Sequence, residues 1–588
     1  MKRHRRSWLS MALMLILSMI AQPTRSEVIR EIDLTKESAD IAIFGASEGD
    51  VMYSVAMGDV NGDRFPDLLL SAPGGDTDAG MNVGVVWVIF GPLQAGVLDL
   101  RDSPADFSIS GVGSCCAFGT ALATGDLNGD GIDDMIVNAG NRIHIVFGSA
   151  ELAGQLDLAE SQADLTIRGV AAAARDLGVG DYNGDGIQDL ALGTGSVLGR
   201  PGDSVLVLFG SSGLGGTIDF ALQSPDLVIR GSDGSQIGRS IAAGDITGDG
   251  MDDMILGMYG APSLAVVEVI FGSVDLPGTV DLRTQNSDLR IVGDYYGGFG
   301  TGLVADDFDG DGIEDIAIGS PYASFYGRRW AGKVEVIRGQ PDLAGVRDLR
   351  DQPAELTIVG GRELLALGSR SSLPGNGLRS GDVNGDGIGD LIVAAVLARS
   401  ADGQLYAAGE GYAIFGGAAM GCIRDLAIEP AEIIVHGSGY RDYLGWGTGV
   451  GDVNGDGLDD VIFLAAWGDG FDDTREAAGD AYILFGRPDT AKVKTLLEVI
   501  QTLPEDAFIR EGHRQAMLRQ AQSIEAMLGA GHTAGAARLL EQMERHLDPC
   551  DGQIGPIGPN DWLQSCATRV QLRCIVNQMR EALPSLSN

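Results

Sequence analysis

The chain is short of positive charge: Lys and Arg number 41 against 82 Asp and Glu, a formal charge of −41. A nucleic-acid partner is not expected, because phosphate binding needs basic surface. Histidine is scarcer still. Of the six, His4 falls in the N-terminal segment, and His144 and His436 fall within strand-like runs, where they read as structural. His513, His532 and His546 lie near the C-terminal end. The G-x-S-x-G, H-E-x-x-H and P-loop patterns are missing. Six Cys show no zinc spacing. Cys550 and Cys566 are the expected disulfide, because the Asp-Gly-Gln-Ile-Gly-Pro that follows Cys550 can turn the chain back. Beyond Ile20 no run reaches the ~18 apolar residues of a membrane span.

What the chain does have is acid at fixed spacing. Seven short loops carry side-chain oxygens at positions 1, 3, 5 and 9. The first holds Asp59, Asn61, Asp63 and Asp67; the second Asp126, Asn128, Asp130 and Asp134. The third holds Asp181, Asn183, Asp185 and Asp189; the fourth Asp245, Thr247, Asp249 and Asp253. Asp307, Asp309, Asp311 and Asp315 form the fifth, and Asp382, Asn384, Asp386 and Asp390 the sixth. Asp452, Asn454, Asp456 and Asp460 complete the set. Carboxylates this close repel unless a cation neutralises them. Oxygen-only donors are those of calcium, which takes about 6–8 of them. Up to seven structural Ca2+ ions are therefore expected. The loops are not EF-hands. That motif needs a Glu at position 12, where this chain has Leu70, Val137, Leu192, Leu256, Ile318, Val393 and Phe463.

Residues 1–26 have the layout of an export signal: Lys2, Arg3, Arg5 and Arg6, then an apolar stretch from Trp8 to Ile20, then Thr24-Arg-Ser26. No transmembrane segment is expected after its removal; the alternative is that the segment stays uncut as an N-terminal anchor. A secreted or cell-surface location follows, with the periplasm also open, and weak calcium sites fill in such compartments.

Each loop lies between strand-like segments. Gly119–Gly125 enters the second loop, Asp134–Val137 leaves it, Arg142–Gly148 follows, and a spacer ending in Leu156-Asp-Leu158 leads to Ala163–Gly169. Four short strands per unit, seven times over, predict a mainly β protein, a seven-bladed β-propeller spanning residues 27–489. The last unit stops after its third strand, while Asp40–Gly45 matches a fourth strand. Strand 40–45 is therefore expected to close the last blade. Helical spacing in 492–503, 508–528, 534–547 and 562–583, with Thr533 and Asn560 as N-caps, predicts a small all-α domain over 490–588.

The repeats resemble FG-GAP repeats, the blades of the integrin α-subunit propeller. Phe118-Gly119 and Phe299-Gly300 carry the FG element; Ser71-Ala-Pro73 and, loosely, Ser320-Pro321 carry the GAP element. The likeness covers about 460 residues. Departures are Arg64 in place of Gly at position 6, Thr247 at position 3, and Ala171 to Ala174 where an FG element is due. The resemblance implies adhesion or recognition of an extracellular protein or glycan, with calcium in a structural role and no catalysis. The alternatives are a polysaccharide-active or phospholipase-like hydrolase, or a scaffold. Aromatic segments around Tyr295, Tyr322 and Tyr440 mark a ligand face, with Tyr322, Tyr326, Arg329 and Trp330 the foremost candidates, since rigid aromatics and Arg favour binding hot spots. Neither the ligand nor the oligomeric state is legible.

Overall fold

The computed structural model describes residues 30–487 apart from 77–79, 113–117, 171–175, 197–202, 232–234, 259–264, 294–296, 326, 364, 369–376, 418–421 and 471–473. Beyond these it describes 500, 513–528 and 533–544. The export-like segment, Tyr326 and the Cys550–Cys566 pair lie outside the described residues.

The acidic loops set the local structure. Each ends in an Asp that starts a strand buried on both faces, as in Asp67–Ala72 and Asp134–Ala139. Such strands read as unbroken apolar runs because sheets cover them on both sides. The strand entering the loop and the strand after it pair antiparallel with this one. In blade 1, Ser54–Gly58, Asp67–Ala72, Val85–Ile89 and Phe107–Ser110 follow in order. Seven such sheets form the propeller. The cores lie between neighbouring sheets. Leu68, Leu70 and Trp87 of blade 1 pack with Ile462, Leu464, Ile41 and Ile43 of blade 7.

Each sheet has five strands, not four. The spacer between third and fourth strands is itself a strand, and it joins the outer edge of the preceding blade in parallel. Gly154–Asp157 of the second unit pairs with Phe107–Ser110 of blade 1, and Gly216–Asp219 of the third with Leu165–Arg168 of blade 2. An Asp ends each spacer strand by accepting the N–H two residues on, as Asp99, Asp157, Asp219, Asp281, Asp348 and Asp425 do. This local Asx turn redirects the chain back to its own blade.

The N-terminal strands follow the same rule. Ile41–Phe44 pairs antiparallel with Asp480–Leu484 and is the fourth strand of blade 7. Arg30–Asp33 runs parallel to Ile433–His436 of blade 6. Gly96–Asp99 then adds to Ile41–Phe44, passing the edge of blade 7 to the first unit.

A second compact unit takes in the C-terminal residues. Two helices are described there, His513–Leu528 and Thr533–Glu544. Met517, Ala521 and Ile524 bury one face of the first, and Ala536, Leu540 and Met543 one face of the second, the i, i+4, i+7 spacing of an amphipathic helix. The helices expected at 492–503 and 562–583 lie outside the described residues except for Ile500.

Candidate metal centres and the opposite face

Within each loop the acids first hold the backbone. Asp59 Oδ1 accepts the N–H groups of Gly62 and Asp63 at 2.7 and 3.0 Å, and its Oδ2 accepts that of Arg64 at 2.7 Å. Asp126, Asp181, Asp307 and Asp452 repeat the pattern. The position-5 Asp accepts the N–H of position 7, as Asp63 does from Phe65. Positions 4 and 6 are left-handed; Gly62 has φ 76° and Gly131 86°. Arg64 is forced to φ 74° where the other six loops have Gly, a strained conformation for a residue with a Cβ.

The position-9 acids are the anchors. Asp67, Asp134, Asp189, Asp253, Asp315, Asp390 and Asp460 all have no solvent exposure. One oxygen faces the loop, as Asp67 Oδ2 does in accepting from Val60 N–H at 3.0 Å. The other accepts the N–H of the glycine that ends the third strand: Gly91, Gly148, Gly210, Gly272, Gly339, Gly416 and Gly486. Burial pushes Asp67, Asp134, Asp189, Asp253, Asp315 and Asp460 up to about 7. A cation is what would offset that cost and hold them ionised.

The donor sets fit such a cation. Ligand oxygens of Asp307, Asp309 and Asp315 lie within 4.8 Å of one another. In the sixth loop Asn384 is 3% exposed, and its Oδ1 is buried with no hydrogen-bond partner while its Nδ2 donates to Asp390 at 2.9 Å. An orphaned buried acceptor among carboxylates matches an oxygen-binding ion.

The loops also touch one another. The N–H at position 8 of one loop donates to the position-1 carbonyl of the loop before it: Asp133 to Asp59, Gln188 to Asp126, Asp252 to Asp181, Glu314 to Asp245, Gly389 to Asp307 and Asp459 to Asp382. At the last junction position 8 is Pro66, which has no N–H. The apolar side chain at position 7 packs on the position-4 glycine of the loop before: Ile132 on Gly62, Ile187 on Gly129, and so on to Phe65 on Gly455.

One junction is rewired. Elsewhere the residue before position 1 is Gly, leaving room for the position-8 side chain of the next unit; a Cβ on Gly58 would fall 2.6 Å from Asp133 Oδ2. Between the fifth and sixth loops the next unit has Gly389, and Asp306 takes the place of Gly to cap Asp307 N–H at 2.8 Å. The carboxylate has moved across the junction. A repeat-by-repeat reading missed this, although the run Asp306-Asp-Phe-Asp-Gly-Asp held the signal. A further acid recurs unread at the start of the fourth strand. Asp106, Asp164, Asp226, Asp288, Glu355 and Asp40 accept the N–H of the residue before each third-strand glycine.

The FG and GAP residues meet across a blade boundary. Ser71 Oγ donates to the carbonyl of Gly119 at 2.6 Å, and Gly119, at φ 78°, has no room for a Cβ against Ser71.

The two histidines within strands are structural. His144 Nδ1 lies 3.2 Å from Thr166 Oγ1 and burial lowers it to about 4. His436 is held by Glu410 and Glu31.

Strand order puts the connections between second and third strands, and those between blades, on the end opposite the acidic loops. Over blade 7 they line an open cleft of about 920 Å³, with Glu48, Tyr440, Arg441, Tyr443, Trp467 and Glu476 among its residues. Trp446 and Trp467 meet edge to face at 4.5 Å, with Tyr443 5.2 Å from Trp467. Over blade 5, Tyr322 lies 6.0 Å from Trp330, whose ring carries the Arg329 guanidinium at 4.5 Å. Trp330 is 38% exposed. Tyr322, Arg329 and Trp330 are thus brought together.

Fold and loops together define a β-propeller built on acidic-loop repeats. The FG-GAP repeat family model matches at residues 53–89, 118–149 and 299–337. The chain is 32% identical over 233 residues to integrin alpha pat-2 of Caenorhabditis elegans, covering 37% of this chain and 17% of that protein. Against integrin alpha-5 of Xenopus laevis it is 28% identical, covering 36% and 20%. Human phosphatidylinositol-glycan-specific phospholipase D is 27% identical over 200 residues, covering 30% and 23%. The matches span under a quarter of these relatives' lengths. The chain carries FG-GAP repeats in three places, within a seven-bladed propeller that is similar in part of its length to integrin alpha chains.

Proposed function

We propose that this chain is an exported adhesion or recognition module. Its propeller, residues 27–489, presents ligand-binding loops on one end and is braced by calcium on the other; residues 490–588 form a helical domain. The observation that carries the reading is the division of labour between the ends: acid loops tied to each other on one, an aromatic cleft on the other. The partner is an extracellular protein or glycan. Calcium is the fitting cation because all donors are oxygens, and its role is structural. Oxygens already committed to backbone hydrogen bonds and a cation make poor proton donors, which supports a non-enzymatic reading.

The test is binding of the full chain, in calcium, to panels of extracellular matrix proteins and glycans. Trp467→Ala is expected to abolish capture and, because it removes edge-to-face contacts with Trp446 and Tyr443, to lower the melting temperature by a few degrees without unfolding the chain at the assay temperature. Capture unchanged by Trp467→Ala and by Trp330→Ala would contradict this surface. Turnover of a glycan or a phosphatidylinositol-glycan lipid by the same preparation would favour the hydrolase alternative.

A further inference from the structure

The fifth loop differs from the others in two places at once. At position 3 it has Asp309 where five loops have Asn and one has Thr. At the residue before the third-strand glycine it has Arg338, where the other six units have Phe90, Phe147, Phe209, Phe271, Phe415 and Phe485. Geometry connects the two. In the Asn loops the amide oxygen faces the loop centre and the amide nitrogen donates to the position-9 carboxylate. Asn61 donates to Asp67 at 3.2 Å, Asn128 to Asp134 at 3.2 Å, Asn183 to Asp189 at 3.2 Å, Asn384 to Asp390 at 2.9 Å and Asn454 to Asp460 at 3.2 Å.

Asp309 keeps the first half of this arrangement. Its Oδ1 accepts the N–H of Asp311 at 3.1 Å, as Asn61 Oδ1 does from Asp63 at 2.9 Å. It cannot keep the second half, because a carboxylate has no N–H to give. Its carboxylate stands beside those of half-buried Asp307 and fully buried Asp315. Two anions in a low-dielectric site repel strongly unless something positive joins them. Arg338 is that partner: its guanidinium forms an ion pair with Asp309 Oδ2. The Asp309 side chain is 1% exposed and that of Arg338 42%. The backbone of Arg338 still makes the bond of the residue it replaces, donating its N–H to Glu355 at 3.1 Å.

We propose that Arg338 is a built-in counter-charge for the fifth cation loop. It neutralises the second oxygen of Asp309, which stands where the other loops have an uncharged side chain. It also brings the four oxygen-bearing positions of this loop, with four carboxylates, to the minus three that the same four positions carry in each of the other six. This rests on the cation-loop reading above for its calcium arm, but not for its metal-free arm. Asp309 can then offer a full carboxylate oxygen to the ion without overcharging the site.

The probe is calcium alone, titrated calorimetrically into the full chain, with melting temperatures taken in EDTA. Arg338→Phe leaves the loop at minus four. Its melting temperature in EDTA is expected to fall below wild type, and one site to bind calcium roughly tenfold tighter, because ligand charge tunes affinity. Asp309→Asn alone leaves minus two and is expected to weaken one site roughly tenfold. The double variant Asp309→Asn/Arg338→Phe rebuilds the common loop and should return both readouts to wild type. Unchanged melting in EDTA with an unchanged isotherm for Arg338→Phe would overturn the proposal. So would looser calcium binding in that variant. Should Arg338→Phe not fold, Asp309→Asn carries the test, and an isotherm like wild type contradicts the counter-charge. A wild-type chain that binds no calcium defeats the cation reading, while the EDTA comparison still decides whether Arg338 offsets buried charge.

Discussion

Single residues in this propeller are fixed by what a neighbour already occupies. The left-handed turn at position 6 suits Gly in six loops; in the first it is imposed on Arg64 at φ 74°. For a residue with a Cβ that conformation costs about 1 kcal/mol or more. Arg64→Gly is therefore expected to stabilise the chain by about 1 kcal/mol, read as an upward shift in denaturant midpoint. No shift would mean the loop relaxes the strain by other means. At position 4, glycine answers a second demand. A Cβ on Gly129 would meet Ile187 of the next loop at 2.9 Å, besides the φ of 73°. Gly129→Ala should cost about 2 kcal/mol or more, from strain plus overpacking. A cost below about 0.5 kcal/mol would show that neighbouring loops do not press on one another.

Elements explain which parts of the fold could be read from the chain. The loop-to-strand step was legible, because Asp at position 9 and the apolar run after it are adjacent in sequence. The third strands announced themselves through Val-Trp-Val-Ile-Phe-Gly91 and its relatives. The spacer strands were not legible. Gly154–Asp157 is half exposed and four residues long, and its partner Phe107–Ser110 belongs to the unit before. Nothing local says that Leu156 pairs with Ile109. The acidic loops were legible as loops for the same local reason. The tie from each position-9 acid to a third-strand glycine was not, since 14 to 26 residues separate Gly148 from Asp134 and Gly416 from Asp390. Ion pairs such as Arg338 with Asp309 were hidden too. They appear only when a strand end and a loop are laid side by side.

At the scale of the whole molecule, the propeller is held by three kinds of contact between successive blades: apolar cores, parallel spacer strands and linked acidic loops. Its closure depends on the N-terminal residues. Arg30–Asp33 caps blade 6, and Ile41–Phe44 completes blade 7 and receives Gly96–Asp99. Removing residues 30–45 would leave two sheets with open edges, which favour aggregation. The truncated chain is expected to melt at least roughly 10 °C lower than the full one. An unchanged melting temperature would contradict closure by these strands.

Seven buried position-9 acids sit beneath loops with three or four carboxylates each, in a chain of formal charge −41. On the proposed reading, positive charge from outside the chain holds those groups ionised. Thermal unfolding of the full chain, freed of metal and then titrated with calcium or magnesium, tests this most directly. The account predicts that calcium raises the melting temperature by well over roughly 10 °C, with magnesium far less effective. A metal-free chain that melts at the same temperature as the calcium-saturated one would contradict it.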